Sequence, residues 1–105
     1  KWGVINSNGD IVIDPAYQEM IVIPNSKNAI FICTYDIDYE TGEYKTKVLN
    51  EKNQEIFTNY DKVEAIANKD ENNNLWYEEN ILKVEKKYRI RRYFYTTVQC
   101  VYVLS

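Results

Sequence analysis

Residues 1–17, KWGVINSNGDIVIDPAY, limit the fold more than any other stretch of the chain. Val4 and Ile5 stand before Ser7-Asn8-Gly9-Asp10, and Ile11, Val12 and Ile13 stand after it. Asn-Gly is the pair best suited to the two positive-φ positions of a type I′ turn, so the segment is predicted to fold back as a β-hairpin. Asp14-Pro15 is expected to stop the second strand, because proline cannot donate to a ladder and holds the residue before it extended.

The same spacing returns further along. Val48-Leu49-Asn50-Glu51-Lys52-Asn53 aligns with Val4-Ile5-Asn6-Ser7-Asn8-Gly9, Ile56-Phe57 with Val12-Ile13, and, one residue shorter, Tyr60 with Tyr17 and Val63 with Met20. Lys87-Tyr88-Arg89-Ile90 aligns with Lys1-Trp2-Gly3-Val4 at about twice that offset. Repeats of this length are supersecondary units that bury their apolar faces by stacking on one another. The expected division is one all-β domain over residues 1–105, with repeats at 1–44 and 45–86 and a partial third repeat or terminal strands at 87–105.

Lys1-Trp2-Gly3-Val4-Ile5, Asn8-Gly9, Val12-Ile13, Pro15 and Tyr17, with Tyr60-Asp61 after the second turn, resemble the WG (or KWG) repeat of bacterial proteins. The first unit matches over about twenty residues; the second has Thr46-Lys47 in place of Trp-Gly, and the third keeps Tyr88 but has Arg89 in place of Gly. The resemblance implies arrays of short strands and a binding or scaffolding role. Its structural positions here would be Trp2, Gly3, Asn8, Gly9, Pro15, Tyr17, Tyr60 and Tyr88.

Strands are predicted at residues 2–6, 10–13, 19–23, 29–35, 44–50, 55–57, 62–66, 75–77 and 81–86. Pro24-Asn25 should end the third, and residues 36–42 and 68–74 read as loops. Ile30-Phe31-Ile32-Cys33 is a continuous apolar run, the mark of a strand buried on both faces. A helix over residues 60–68 is the weaker alternative. Consecutive antiparallel hairpins, forming a small meandering sheet, a barrel or a solenoid-like unit, are the fold class. A polar and an apolar face alternate through the tail, with a bend expected near Arg92 or Thr96-Thr97, since seventeen unbroken residues would span about 55 Å.

Composition excludes most chemistry. The 105 residues contain no histidine and three glycines, which rules out His-based nucleophilic catalysis and leaves no phosphate-binding glycine loop. No cofactor and no enzymatic activity are expected. Acids at Asp36, Asp38, Glu40 and Glu43 approach a calcium loop, but Gly42 is one place late and Lys47 stands where the bidentate glutamate belongs, so no metal site is expected. Cys33 and Cys100 read as two buried free thiols, with a disulfide between them as the alternative.

Two surfaces are candidates for binding. Tyr39, Tyr44, Trp76 and Tyr77 could form an aromatic platform for a glycan, or could be ordinary cross-strand aromatics. Residues 1–85 hold 8 lysines and 16 acids, whereas Lys86, Lys87, Arg89, Arg91 and Arg92 follow with no acid after them. That basic run is expected to pair with Glu78, Glu79 and Glu85, which disfavours nucleic acid as a partner. The function expected is a non-catalytic module for protein–protein interaction or self-association through sheet edges, with a carbohydrate or cell-wall module as the alternative. With no Met at position 1 the chain is expected to be a piece of a longer protein, soluble, with its compartment undetermined.

Overall fold

The computed structural model describes residues 1–23 and 29–103, so the expected stop at Pro24-Asn25 lies outside the described residues. It is all-β, with nine strands: β1 (Trp2–Ile5), β2 (Ile11–Tyr17), β3 (Glu19–Ile23), β4 (Ile30–Tyr35), β5 (Lys45–Leu49), β6 (Glu55–Ile56), β7 (Lys62–Lys69), β8 (Leu75–Arg91) and β9 (Phe94–Val103). Among the described residues they form three antiparallel sheets and no closed barrel: β1-β2, then β3-β4-β5-β6, then β7-β8-β9. No helix occurs among the described residues, so residues 62–69 are strand.

The middle sheet crosses the repeat junction. β3 and β4 lie before the expected junction at residues 44–45 and β5 and β6 after it, and β4 pairs with β5 through Phe31↔Leu49, Ile32↔Val48 and Cys33↔Lys47. Alternation along β4 then sends its side chains to two different cores. Ile30 and Ile32 join Ile23, Val48, Val63, Leu82 and Val84 between the middle and last sheets. Phe31 and Cys33 join Ile13 and Leu49 between the first and middle sheets, with Val4, Val12, Tyr17 and Met20 packed around them. The two-sided burial expected of this run is what holds the three sheets in a stack.

Three hairpins share one turn, and it is not type I′. Asn6 Oδ1 accepts from the amides of Asn8 and Asp10 at 2.9 and 3.0 Å. Asn50 does the same for Lys52 and Gln54, and Asp70 for Asn72 and Asn74. In each, the residue three after the acceptor has positive φ: Gly9 at 84°, Asn53 at 60°, Asn73 at 66°. Asn8 does not, so this is a four-residue turn ending in one left-handed residue, with the first Asx side chain closing it.

Pro15 does not end β2, which runs on to Tyr17. The register jumps from Val4↔Ile13 to Trp2↔Tyr17, leaving residues 14–16 in a bulge opposite Gly3, where no ladder donor is asked of the proline. The strand aligned with it, β6, has only two residues, because Phe57 turns out of it at φ 57°.

The C-terminal segment departs furthest from expectation. Leu75 to Arg91 is one 17-residue strand rather than two short ones, β7 extends through Asn68 and Lys69, and the junction at residue 87 falls inside β8. The bend comes at Arg92-Tyr93, from which β9 returns along β8. No separate third hairpin starts at Lys87. The pair β8-β9 forms a long arm, and the molecule measures 51 × 34 × 32 Å.

Candidate interaction surfaces

The first surface is the outer edge and face of the first sheet. Trp2, Ile5 and Ile11 are exposed there, and among the described residues no strand pairs with the outer edge of β1. Gly3 lies in the bulge against the β2 backbone, Gly9 supplies the left-handed turn residue, and Tyr17 meets Tyr35 edge to face at 6.4 Å between centroids. Lys47 caps that pair, its Nζ 4.8 Å from the Tyr35 ring and 5.8 Å from that of Tyr17. This Tyr-Tyr-Lys group was not legible in the sequence, since its members come from β2, β4 and β5.

The expected aromatic platform is not assembled. Tyr39 is 81% exposed at the tip of the 36–44 loop. Tyr44 turns toward β7, where its hydroxyl donates to Glu64 Oε1 at 3.0 Å and Lys62 Nζ sits 4.0 Å from its ring centre. Trp76 and Tyr77 pair with Asn68 and Ala67 toward the other end of β7, about 10 Å or more along the strand from Glu64. Tyr77 packs against the core and Trp76 is exposed alone.

Tyr44, Lys62 and Glu64 form a tight polar group, and Tyr44 and Lys62 also line a cleft of about 540 Å³ with Tyr35, Tyr60, Glu85 and Lys87. Lys62 and Glu64 are 3.3 Å apart. Burial works against the Glu64 carboxylate, but the Tyr44 hydroxyl and the Lys62 ammonium outweigh it and hold the group below its ordinary value. Burial likewise opposes the charge on Lys62, and the contacts with Tyr44 and Glu64 overcome it and raise that lysine.

The basic run does not pair with the acids expected for it. Glu78 accepts from Asn68 Nδ2 at 2.8 Å, and Glu85 accepts from Gln99 at 2.9 Å and lies 3.9 Å from Lys83. No ion pair is formed by Lys86, Lys87, Arg89, Arg91 or Arg92 among the described residues. Their neighbours are rings: Lys86 over Tyr88, Lys87 over Tyr95 and Arg92 over Tyr93, each at just under 6 Å. Arg89 Nε donates to the carbonyl of Arg91 at 3.4 Å. The arm is therefore a solvated ribbon of cations and aromatic rings.

The acidic loop closes on itself. Asp38 Oδ1 accepts from the amides of Glu40 and Thr41, which lowers its pKa, and Gly42 takes the left-handed position. Cys33 is buried and free, with burial pushing its thiol up to about 11 against a smaller opposing pull from Lys47. Cys100 is free and, against expectation, exposed, because it sits on β9 beyond the cover of the middle sheet. Among the described residues no helix is long and apolar enough to cross a membrane. No family model, curated protein or solved structure matches the chain.

Proposed function

We propose that this chain is a non-catalytic β-repeat module of the WG type that serves protein–protein interaction or scaffolding within a larger protein. The observation that carries this reading is the sheet built across the repeat junction. The middle sheet is completed only by strands from both sides of that junction, an assembly logic of arrays and scaffolds. Support also comes from what is exposed: an unpaired strand edge, single aromatics and a solvated arm, surfaces suited to macromolecular contact. The carbohydrate alternative loses its main support, since Tyr39, Tyr44, Trp76 and Tyr77 are separated and the hydroxyl of Tyr44 is engaged.

The test is to place a photo-cross-linking residue at Tyr39 or Tyr93, both exposed, in the full-length parent protein in its own cells. Adducts removed by protease are expected. Adducts removed by glycan-degrading enzymes or nuclease, and not by protease, would overturn the reading.

A further inference from the structure

We infer that the outer edge of β1 is a docking site for a β-hairpin of the β3-β4 kind, supplied by a further repeat that joins this one on its N-terminal side. The inference rests on the repeat-module reading and names the partner of one edge. Three observations inside the molecule carry it.

The first is the comparison of β1 with its counterpart β5. Both lead into the same Asx-closed turn, and both pair onward with the same spacing, Ile5↔Ile11 and Leu49↔Glu55. On its other side β5 is paired along its whole length with β4. Leu49 is 4% exposed, whereas Ile5, its counterpart, is 67% exposed.

The second is the space beside β1. A groove of about 280 Å³ between the first and middle sheets is lined by Val4, Ile5, Asn6, Val12, Phe31 and Glu51. At the matching place between the middle and last sheets, Ile30 and Ile32 of β4 stand beside β5 and fill the core. A strand set against β1 in the β4-β5 register would put one residue opposite Ile5, as Phe31 is opposite Leu49. It would send the two flanking residues, the counterparts of Ile30 and Ile32, into the groove.

The third is the middle sheet's own face. Val22 pairs with Phe31 on the side toward the first sheet, yet it is 50% exposed. Its counterpart on β7, Ala65, is packed against the neighbouring core. A docked hairpin would cover Val22 as β3 and β4 cover Ala65.

The opposite end of the stack is built differently. Across β3-β4 the pair Ile21↔Ile32 faces the last sheet; the corresponding pair across β7-β8 is Glu64↔Lys83. With Lys62↔Glu85 beside it, that face carries four alternating charges, and a face of this kind is costly to bury. β9 already occupies, beside β8, the place that β5 holds beside β4. The outer edge of β9 is also unpaired among the described residues, but it lies on the arm, whereas the edge of β1 stands beside the apolar groove.

The test duplicates residues 18–44 directly ahead of Lys1, reproducing the native passage from residue 44 to Lys45. Amide exchange at Ile5, whose N–H points to the outer edge because that of Asn6 bonds Asp10 across the hairpin, should slow at least tenfold. Ile32→Asp made only in the duplicated stretch should abolish that protection while the rest of the chain stays folded. Unchanged exchange at Ile5 with a protease-sensitive extension would overturn the inference. So would a dimer of the unextended chain that Ile5→Lys dissociates, since the edge would then belong to a second copy. Neither result bears on adducts at Tyr39 or Tyr93, so the general interaction reading stands or falls separately.

Discussion

Gly3 lies so close to Ile13 that a methyl group on its Cα would fall 2.5 Å from the Ile13 carbonyl oxygen. The same methyl would stand 2.7 Å from the nitrogen of Pro15, so the bulge and the glycine require each other. Gly3→Ala should therefore part β1 from β2 and lower stability by about 1–3 kcal/mol, read from urea unfolding. Gly9→Ala meets no neighbour and should cost about 1 kcal/mol from its backbone conformation alone. Gly9→Asn should cost less than Gly9→Ala, because Asn53 and Asn73 already hold that turn position.

The aligned positions Ile5 and Leu49 should respond unequally. Leu49→Ala removes buried contacts and should cost about 2–5 kcal/mol, while Ile5→Ala in the same chain should fall within about 0.5 kcal/mol of zero. Equal losses at the two positions would mean that β1 is covered in solution.

The two thiols should differ in reactivity. At pH 8 a thiol reagent should modify Cys100 rapidly and Cys33 only after unfolding, counted as one label natively and two in denaturant. Because the folded pKa of Cys33 is raised, the neutral thiol favours the folded state below about 9, and that contribution is lost as pH rises toward about 11. Cys33→Val should flatten the alkaline fall in melting temperature.

Glu64 acts with the opposite sign. Its folded pKa is depressed, so its contribution is present above the ordinary carboxylate value near 4.5 and is lost as pH falls through the lower folded value. Glu64→Gln should flatten the acid limb of the stability profile and cost no more than about 1 kcal/mol at neutral pH, since the group is only partly buried. Melting temperatures of both proteins from pH 3 to 7 check this.

Strand character was legible wherever the period of side chains decides it. Residues 19–23 fall where expected, and the apolar run through Ile30-Phe31-Ile32-Cys33 announced its two-sided burial. The pairing of consecutive strands followed from the expected hairpins, and β1-β2 and β4-β5 bear it out. Where one sheet ends and the next begins, after β2 and after β6, was not legible, because alternation fixes which face a residue takes and says nothing about which strand lies beside it. Pro15 misled because a bulge removes the reason a proline ends a strand. The 17-residue β8 was hidden by the polar residues at positions 78–80, which sit at the register jump after Ala65. At the surfaces, residue type revealed the basic arm but not that its side chains form no ion pair among the described residues. Tyr44 was visible as an aromatic, and its bond to Glu64 twenty residues away was not.

The sheet that joins residues on both sides of position 44 is tested most directly by nuclear Overhauser contacts between β4 and β5. The structure requires cross-strand backbone contacts of Cys33 with Lys47 and Phe31 with Leu49, together with side-chain contacts from Ile32 to Val63 or Leu82 and from Phe31 or Cys33 to Ile13. Backbone contacts confined within residues 1–44 and within residues 45–86, with none linking β4 to β5, would contradict it.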